Sequence, residues 1–382
     1  MSHGFGLDHL PYGVVAHQGR DLVVVRLGDD VIDLAGLAAS SAPPFDPAVL
    51  AGPGLAPLMA AGPGVWAVVR SWLQATLADS SASRIPLAEV EPRMPFAVAD
   101  YVDFYASLNH ASNVGKIFRP DAEPLLPNWR HLPVGYHGRA GTVVPSGTPV
   151  VRPQGQRRPG PDGRPAFGPS QALDIEAELG FVVGVPSTMG EPVPITALAD
   201  HVFGVTLLND WSARDIQAWE YVPLGPFLGK SFATSISPWI TPLAALEDSR
   251  VPLPGQDPEP LDYLRVAEPA GYAIDLEVVI NGSVVSRPPY ASMYWSPAQM
   301  LAHMTVNGAS LRTGDLYGSG TISGPERDQR GSLLELSWGG NEPFTLDDGS
   351  TRTYLQDGDT VTIRATAGTI TLGEVEGTIT PR

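Results

Sequence analysis

Acidic and apolar residues alternate along residues 173–179 of the sequence. If this segment is a β-strand, the side chains of Asp174, Glu176 and Glu178 lie on one of its faces. Carboxylates at such neighbouring positions repel one another unless they are protonated, solvated or bridged by a cation. Because a ligand set of oxygens suits Mg²⁺ or Ca²⁺, the segment is a candidate cation site. A half-exposed strand with a solvated acidic face is the simpler interpretation of this segment taken alone.

Two further carboxylates stand next to elements that could present them. Asp210 follows the apolar run 205–208, a predicted strand, and precedes a predicted short helix. The end of a strand is where a sheet presents functional groups, although capping the helix is the ordinary role of an aspartate there. Asp103 lies shortly before His110. Together with Glu176 and Glu178 of the acidic run, these residues could form one site for a hard cation.

His110 is the histidine whose surroundings most favour chemistry. It lies in residues 109–115, a run of polar and small residues that predicts a loop. A histidine can act as a general base when a carboxylate orients its second ring nitrogen. A lone histidine is more often structural, and the residues around His110 do not identify a carboxylate partner.

A lysine ends the glycine- and proline-rich run at residues 221–231. The run is similar to a phosphate-binding loop, but its first glycine is one residue too close to Gly229, and two prolines remove amide donors. Lys230 remains a candidate electrophile. Arg214 and Gln217 lie three positions apart on a predicted short helix and therefore share a face. A solvated helix surface explains the same pair.

The overall composition excludes several classes of protein. The chain has 382 residues, a formal net charge of −17 and no cysteine. The charge opposes binding to nucleic acid or to an anionic membrane, and the lack of cysteine excludes disulfides, thiolate metal sites and cysteine nucleophiles. The sequence contains no Gly-x-Ser-x-Gly or His-Glu-x-x-His motif, so a serine hydrolase or a zinc protease has no support. Since neither a targeting segment nor an apolar stretch of membrane-spanning length is visible, we expect a cytoplasmic protein with no nucleic-acid or membrane partner.

Glycine and proline shape the predicted fold. The 41 glycines and 39 prolines, beside 43% hydrophobic residues, indicate a globular chain with many turns and few long helices. Short β-rich runs at residues 14–16, 22–26 and 30–34 predict a small antiparallel barrel or meander, and a helix is expected over 65–77. The polar residues 80–92 predict a linker, which places a domain boundary near residue 90.

The rest of the chain predicts strands, long loops and a few short helices. Residues 152–170 are rich in glycine, proline and arginine, which predicts a loop. Asn281-Gly282 stands between β-rich arms and predicts a hairpin. A helix is expected to begin at Ser296-Pro297 and to end near residue 307. The architecture is therefore expected to be mainly β.

Seven segments of the sequence together resemble the fumarylacetoacetate hydrolase family. They occur in order and with matching spacing over nearly the whole chain. The segments are residues 103–105, 110–115, 127–139, 173–178, 209–217, 221–231 and 320–326. The resemblance implies a small SH3-like N-terminal barrel over residues 1–90, a larger mixed β-roll domain over residues 91–382, and a homodimer.

The resemblance also implies an activity and a set of site residues. The reaction would be hydrolysis of a carbon–carbon bond in 4-fumarylacetoacetate, a small diketo diacid, to fumarate and acetoacetate at the end of tyrosine and phenylalanine degradation. His110 would be the general base, oriented by Glu335. The ligands of Ca²⁺ or Mg²⁺ would be Asp103, Glu176, Glu178 and Asp210, with Lys230 and Thr234 lining a second cation position. The substrate would be bound by Tyr105, Arg119, Tyr136, Gln217, Tyr221 and Thr321, and the leaving carbanion would be stabilised by Arg214, Gln217 and Lys230.

Other functions fit part of these features. An acylpyruvate hydrolase or an oxaloacetate-type 2-oxo acid decarboxylase of the same superfamily would share the acidic metal ligands. Such enzymes usually lack the N-terminal domain and the segment around His110, and the chain has both. A metal-stabilised binding module would have the cation site without turnover.

Overall fold

Two domains of unequal size make up the protein, whose computed structural model describes residues 4–78 and 82–382. The smaller, N-terminal domain contains a five-stranded antiparallel sheet and three helices. The larger domain contains an eight-stranded mixed sheet, a second five-stranded sheet and several two-stranded ribbons. The mainly β class with short helices is thus confirmed.

The bounds of the elements follow in chain order. The strands formed by the described residues are β1 (Tyr12–His17), β2 (Arg20–Leu27), β3 (Asp30–Asp33), β4 (Ile85–Pro86), β5 (Glu91–Pro92), β6 (Tyr101–Phe104), β7 (Gly135–His137), β8 (Val143–Pro145), β9 (Val150–Val151), β10 (Gln154–Pro159), β11 (Pro165–Pro169), β12 (Leu173–Asp174), β13 (Ala177–Val183), β14 (Val202–Asp210), β15 (Ser212–Ala213), β16 (Thr234–Ile236), β17 (Thr241–Pro242), β18 (Arg250–Val251), β19 (Gly271–Tyr272), β20 (Asp275–Ile280), β21 (Ser283–Ser286), β22 (Leu316–Gly318), β23 (Phe344–Thr345), β24 (Thr351–Arg352), β25 (Thr360–Ala367) and β26 (Ile370–Thr380). The α-helices are α1 (Leu34–Ser41), α2 (Ala56–Ala60), α3 (Pro63–Ala78), α4 (Leu108–Phe118), α5 (Leu198–His201), α6 (Arg214–Glu220), α7 (Pro297–Thr305) and α8 (Leu333–Leu336).

The N-terminal sheet has the strand order β4-β3-β2-β1-β5. Strands β1 and β2 join through Gln18 and Gly19, whose φ angles of 49° and 77° match the two-residue turn that fits twisted strands. Val23 and Val25 belong to the core of this domain, whereas Val24 packs on the opposite face in a cluster with Trp239 of the larger domain. The sheet is therefore covered on both faces.

The eight-stranded sheet supplies most of the scaffold for chemistry. Its order is β7-β6-β22-β13-β14-β16-β8, with β17 also pairing with β14. All residues of β13 and β14 are buried, as expected for strands covered on both faces. Leu208 and Leu316 pack in one core with the N-terminal domain, and Leu207 packs in another with the sheet β21-β20-β25-β26-β9. A polar side chain on β13 or β14 therefore needs a partner other than bulk water.

Several local predictions are confirmed. The predicted N-terminal strands and the helix over 65–77 correspond to β1–β3 and α3. The turn at Asn281-Gly282 joins β20 to β21, with φ angles of 50° and 84°. Helix α7 begins after Ser296, whose side chain and that of Gln299 form a reciprocal cap.

Four local predictions differ from the structure. Residues 152–170, expected to be a loop, form the hairpin β10–β11, and residues 109–115 lie in helix α4 instead of a loop. The predicted linker contains β4 and β5, which pair with β3 and β1; its residues 80 and 81 lie outside the described part. The predicted strand over 173–179 is divided into β12 and β13, because β12 pairs with β15 whereas β13 pairs with β14. Across the described residues, no helix has the length and apolar character needed to cross a bilayer.

Candidate active site

Four buried carboxylates meet at the centre of the eight-stranded sheet. Asp103 lies on β6, Glu178 on β13 and Asp210 at the end of β14, while Glu176 directly precedes β13. One oxygen of each carboxylate lies within 4.8 Å of an oxygen of each of the others. We call these four residues the carboxylate cluster. The solvated acidic face considered for residues 173–179 is wrong, because Asp174, Glu176 and Glu178 are all buried.

A glycine leaves room for the cluster. Strand β22 lies between β6 and β13, and its Gly318 pairs with Asp103 on one side and Gly180 on the other. A Cβ atom at Gly318 would lie 2.8 Å from Glu178 Oε2 and 3.1 Å from Asp103 Oδ1. The first distance is shorter than real Cβ contacts and the second is tight, so glycine lets both carboxylates lie across β22 in these positions, whereas a larger residue would displace them.

Two cationic side chains neutralise part of the cluster. Lys230 Nζ contacts Glu176 Oε2 and lies 2.8 Å from Asp210 Oδ2. Arg214 Nη1 lies 2.8 Å from Glu176 Oε1 and donates to Gln217 Oε1 at 3.1 Å. Burial opposes the charged form of Glu176, but Lys230 and Arg214 outweigh it and hold the pKa of Glu176 below its ordinary value. Thr234 Oγ1 donates to Asp210 Oδ1 at 3.0 Å.

The other carboxylates of the cluster are poorly satisfied. Burial, together with the neighbouring negative charges, raises the pKa of Asp103 and of Glu178 well above their ordinary values, and it also raises the pKa of Asp210. Asp103 Oδ1 and Glu178 Oε1 are buried without a hydrogen-bond partner among the described residues. A divalent cation would give both oxygens a partner and would favour the ionised carboxylates, so these residues fit a hard cation.

His110 lies beside the cluster on helix α4, which begins after the cap residue Ser107. Its Nδ1 is 2.6 Å from Glu335 Oε2, and its Nε2 is 4.0 Å from Glu176 Oε1. Glu335 also accepts hydrogen bonds from three other side chains, those of Asn113, Ser323 and Ser332.

The hydrogen bonds of Glu335 determine which nitrogen of His110 carries the proton. Burial would raise the pKa of Glu335, but His110 and the donors Asn113 and Ser332 outweigh it and lower that pKa. In a neutral imidazole, an ionised Glu335 that accepts the proton of Nδ1 leaves Nε2 as the free acceptor on the side of the carboxylate cluster. The pair therefore has the arrangement of a general base.

The residues expected to bind substrate lie at different distances from the cluster. The ring of Tyr105 meets that of His110 edge to face at 5.3 Å, and the Tyr136 hydroxyl donates to Asp210 Oδ2 at 3.4 Å. Thr321 Oγ1 is buried without a partner among the described residues. Arg119 and Tyr221 directly follow helices α4 and α6, and within residues 4–78 and 82–382 neither side chain forms a hydrogen bond to the cluster.

A cavity of about 330 Å³ leads to the cluster from one side. Its lining includes Asp210, Lys230 and Thr234, together with Tyr136 and Phe227. The Phe227 side chain is exposed in the run 221–231, as are those of Val222, Leu224 and Leu228. This run thus places exposed apolar side chains near the charged groups of Asp210 and Lys230, a combination that is typical of a ligand site.

Three residues of the site have no role predicted from the sequence, and the predicted strand grouped a fourth, Asp174, with the wrong partners. Asn113, Ser323 and Ser332 hold Glu335, and Asp174 binds Arg214 Nε at 2.7 Å instead of joining the carboxylate cluster. One signal could have found Asn113. Ser107 is a typical helix cap, and a helix beginning there places Asn113 three positions after His110 on the same face.

Comparison with known proteins agrees with this geometry. The sequence model of the family described as "Fumarylacetoacetase N-terminal" matches residues 8–99, and that of "Fumarylacetoacetate (FAA) hydrolase C-terminal" matches residues 100–380. The chain is 44% identical over 373 residues to a fumarylacetoacetase of Homo sapiens, covering 92% of this chain and 89% of the relative. It is 45% identical over 376 residues to a fumarylacetoacetase of Arabidopsis thaliana, with the same two coverages.

Solved structures share the fold at much lower identity. A fumarylacetoacetate hydrolase from Exiguobacterium antarcticum superposes with a TM-score of 0.58 at 18% identity, covering 98% of this chain and 100% of that one. A maleylpyruvate hydrolase from Sphingobium sp. SYK-6 gives a TM-score of 0.54 at 18% identity, covering 98% and 100%. The two family matches span both domains, and the curated relatives match over nearly the whole chain. The chain therefore belongs to the fumarylacetoacetase family.

Proposed function

We propose that the protein is a fumarylacetoacetase, which hydrolyses a carbon–carbon bond of 4-fumarylacetoacetate to fumarate and acetoacetate. The observation that carries this proposal is the place of His110, whose Nδ1 lies 2.6 Å from Glu335 Oε2 and whose Nε2 lies 4.0 Å from Glu176 Oε1, in a cluster of four buried carboxylates that fit a cation. A base beside an electrophilic centre is the arrangement that attack of water on a ketone requires. The relatives named fumarylacetoacetase support the choice of substrate.

The reaction begins with proton transfer to His110. Nε2 takes a proton from water while the oxygen of that water bonds to the ketone carbon next to the scissile bond. Glu335 holds Nδ1 and stabilises the imidazolium that forms. The carbon–carbon bond then breaks, and the electron pair leaves with the acetoacetate fragment as a carbanion in its enolate form. A proton returned to that carbon completes acetoacetate.

Charge develops on two groups during this sequence, the oxyanion and the leaving enolate. Arg214, Gln217 and Lys230 stabilise the enolate, and a buried donor of this kind typically contributes a factor of about 10²–10³ to the rate. A bound divalent cation supplies Lewis-acid stabilisation of negative oxygen. The positive charges of Arg214 and Lys230 also attract a dianionic substrate to a chain whose net charge of −17 repels it.

The remaining assignments are part of the same proposal. Asp103, Glu176, Glu178 and Asp210 bind Ca²⁺ or Mg²⁺, and Lys230 and Thr234 line a second cation position next to Asp210. The substrate contacts are Tyr105, Arg119, Tyr136, Gln217, Tyr221 and Thr321. The proximity of Tyr105 to His110 and the unpartnered hydroxyl of Thr321 support two of these contacts.

The proposal extends to the organisation of the protein. The N-terminal domain ends near residue 90 and the catalytic domain follows, which is supported by the separation of β5, the last strand of the N-terminal sheet, from β6, the first strand of the eight-stranded sheet. The protein acts as a homodimer in the cytoplasm.

A turnover assay tests the proposed function. Purified protein is mixed with fumarylacetoacetate or with an acylpyruvate, with and without a chelator, and loss of the diketone absorbance is followed. We expect cleavage of fumarylacetoacetate that the chelator abolishes and that added Mg²⁺ or Ca²⁺ restores. Faster cleavage of the acylpyruvate would favour another hydrolase of the superfamily. If neither is cleaved although the cation raises the melting temperature, the protein is a binding module.

A further inference from the structure

Asp174 is a buried carboxylate that the proposed reaction does not use. It ends β12, its side chain is fully buried, and it lies outside the carboxylate cluster. Its Oδ1 accepts the amide protons of Ile175 and Leu333 at 2.7 and 2.6 Å. Its Oδ2 accepts from Arg214 Nε at 2.7 Å and from the amide of Leu334 at 2.9 Å. A carboxylate has about four acceptor positions, so all those of Asp174 are filled.

The partners of Asp174 belong to both sides of the site. Arg214 reaches from Asp174 to Glu176 of the carboxylate cluster, and its Nη2 is buried with no partner among the described residues. Leu333 and Leu334 are the first residues of helix α8, and the next residue is Glu335, which orients His110. A single carboxylate therefore contacts the guanidinium of Arg214 and the backbone that carries Glu335.

We propose that Asp174 is a positioning residue that holds Arg214 and helix α8 in fixed relation to each other. The inference rests on the proposed function, because it assigns Asp174 an effect on the general base and on the group that stabilises the leaving carbanion. Since Arg214 already binds Asp174 and Glu176, its free Nη2 donor is presented in one orientation before substrate arrives. Preorganised donors of this kind stabilise a transition state without a rearrangement during the reaction.

The chemistry of the four hydrogen bonds explains why an aspartate stands there. All four partners are donors, and an asparagine would present its own NH₂ donors to two of them. The Arg214 charge would also lose its closest counterion in a buried place. Asp174→Asn therefore changes the volume of the side chain very little but removes the interaction that fixes Arg214.

A matched pair of variants tests the proposal. Asp359 is another buried aspartate, which accepts hydrogen bonds from Arg352, Asn281 and the amide of Gln356, away from the carboxylate cluster. We expect Asp174→Asn to lower kcat about 100-fold per folded molecule while KM changes less than about threefold. Asp359→Asn should lower the melting temperature and leave kcat unchanged. If Asp174→Asn also lowers only the melting temperature, its role is structural and the proposal is wrong.

A double variant separates the two effects of Asp174 and guards against misfolding. Asp174→Asn with Arg214→Gln removes both charges of the buried Asp174–Arg214 pair, and Glu176 keeps its contact with Lys230, so the double variant should fold even where the single Asp174 variant does not. If Asp174 acts on kcat through Arg214, adding Asp174→Asn to Arg214→Gln should cost less than about threefold in kcat. A further 100-fold loss would contradict that route.

A spectroscopic measurement tests the contact with helix α8 without using turnover. The short hydrogen bond between His110 and Glu335 should give a downfield proton resonance, assigned by its loss in His110→Ala. We expect this resonance to shift or broaden in both variants that contain Asp174→Asn and to stay unchanged in Asp359→Asn. An unchanged resonance would overturn the link to Glu335. A wild-type protein that does not cleave fumarylacetoacetate would overturn the proposed function but not this measurement.

Discussion

Glu335 and the carboxylate cluster are buried side by side, yet their carboxylates are satisfied in opposite ways. Glu335 accepts hydrogen bonds from His110, Asn113, Ser323 and Ser332, and its pKa is lowered despite burial. In the cluster, Asp103 and Glu178 each keep one oxygen that has no partner within the described part of the chain, and burial and like charges raise the pKa of both.

The difference indicates two uses of one functional group. A carboxylate whose acceptors are filled by protein donors has a fixed orientation and can fix that of a neighbour, as Glu335 does for His110. A carboxylate with unfilled acceptors is stable in a core only when a bound cation or a proton supplies the missing positive charge. The predictions that follow are designed to separate these two uses.

The largest effect is expected when the general base is removed. His110→Ala should lower kcat by a factor of about 10²–10⁴, because no other group receives the proton from water. Stabilisation by Mg²⁺ or Ca²⁺ should persist, since the cluster is intact. Steady-state kinetics and thermal melts measure the two quantities. The matched control is His303→Ala, which removes a half-buried histidine that is hydrogen-bonded to Tyr263. This variant should leave kcat unchanged. Turnover at the wild-type rate in His110→Ala would rule out its assignment as the base.

Removal of a cluster ligand should abolish the response to cation. At a cation concentration about 100 times its Kd, binding stabilises a folded protein by about 2.7 kcal/mol. Glu178→Ala should lose this gain, because one of the unfilled oxygens is its own. Differential scanning calorimetry with and without chelator measures the gain, and Glu335→Gln, which leaves the cluster unchanged, should retain it. An equal gain in both variants would mean that Glu178 is no ligand.

The two kinds of carboxylate predict opposite pH dependence in chelator-treated protein. The raised pKa of Glu178 contributes stability that is present below its ordinary value of 4.5 and is lost as pH rises through the folded pKa. The lowered pKa of Glu335 contributes stability that is present above 4.5 and is lost as pH falls through the folded pKa. Urea unfolding at pH 7.5 should therefore show that Glu178→Gln stabilises the chelated protein and that Glu335→Gln destabilises it. The Glu178 difference should shrink as pH falls toward 4.5, whereas the Glu335 difference should persist down to about pH 4.5 and shrink below it. A common sign at pH 7.5 would contradict the comparison.

The smallest effect is expected from the glycine between Asp103 and Glu178. Gly318→Ala should weaken cation binding about tenfold, because the added Cβ displaces both carboxylates by a few tenths of an ångström. Isothermal titration with Mg²⁺ or Ca²⁺ measures the affinity. Gly64→Ala is the control, since a Cβ at Gly64 meets no atom within 4 Å. Unchanged affinity in Gly318→Ala would show that the cluster tolerates a wider spacing.

Local features of the fold could be predicted because they depend on local sequence. The hairpin at Asn281-Gly282 needs only a residue pair that tolerates positive φ between two β-rich arms. Helix α4 was missed because Asn109, Ser112 and Gly115 are poor helix formers. It forms nevertheless, because Ser107 caps it and Ala111 packs in the main core, which the sequence does not show in advance.

The sequence predicted only those features of the site that depend on the position of a residue along one strand. Period-two spacing placed Glu176 and Glu178 together, and both are in the cluster. The same spacing grouped Asp174 with them. However, β12 pairs with β15 instead of β14, and Asp174 therefore contacts Arg214 and helix α8. Which distant segment each carboxylate meets depends on strand pairing over long range, and local sequence carries little information about such pairing.

The carboxylate cluster also has a consequence for how the protein resists unfolding. Asp103 on β6 and Glu178 on β13 are far apart in the sequence, and β22, which lies between these strands in the sheet, comes from still later in the chain. Contacts of such range form late in folding, because the entropy of loop closure opposes them. Interactions absent from the folding transition state slow unfolding and hardly alter refolding. A bound cation would therefore give this protein kinetic stability, lengthening the lifetime of the native state more than it speeds its formation.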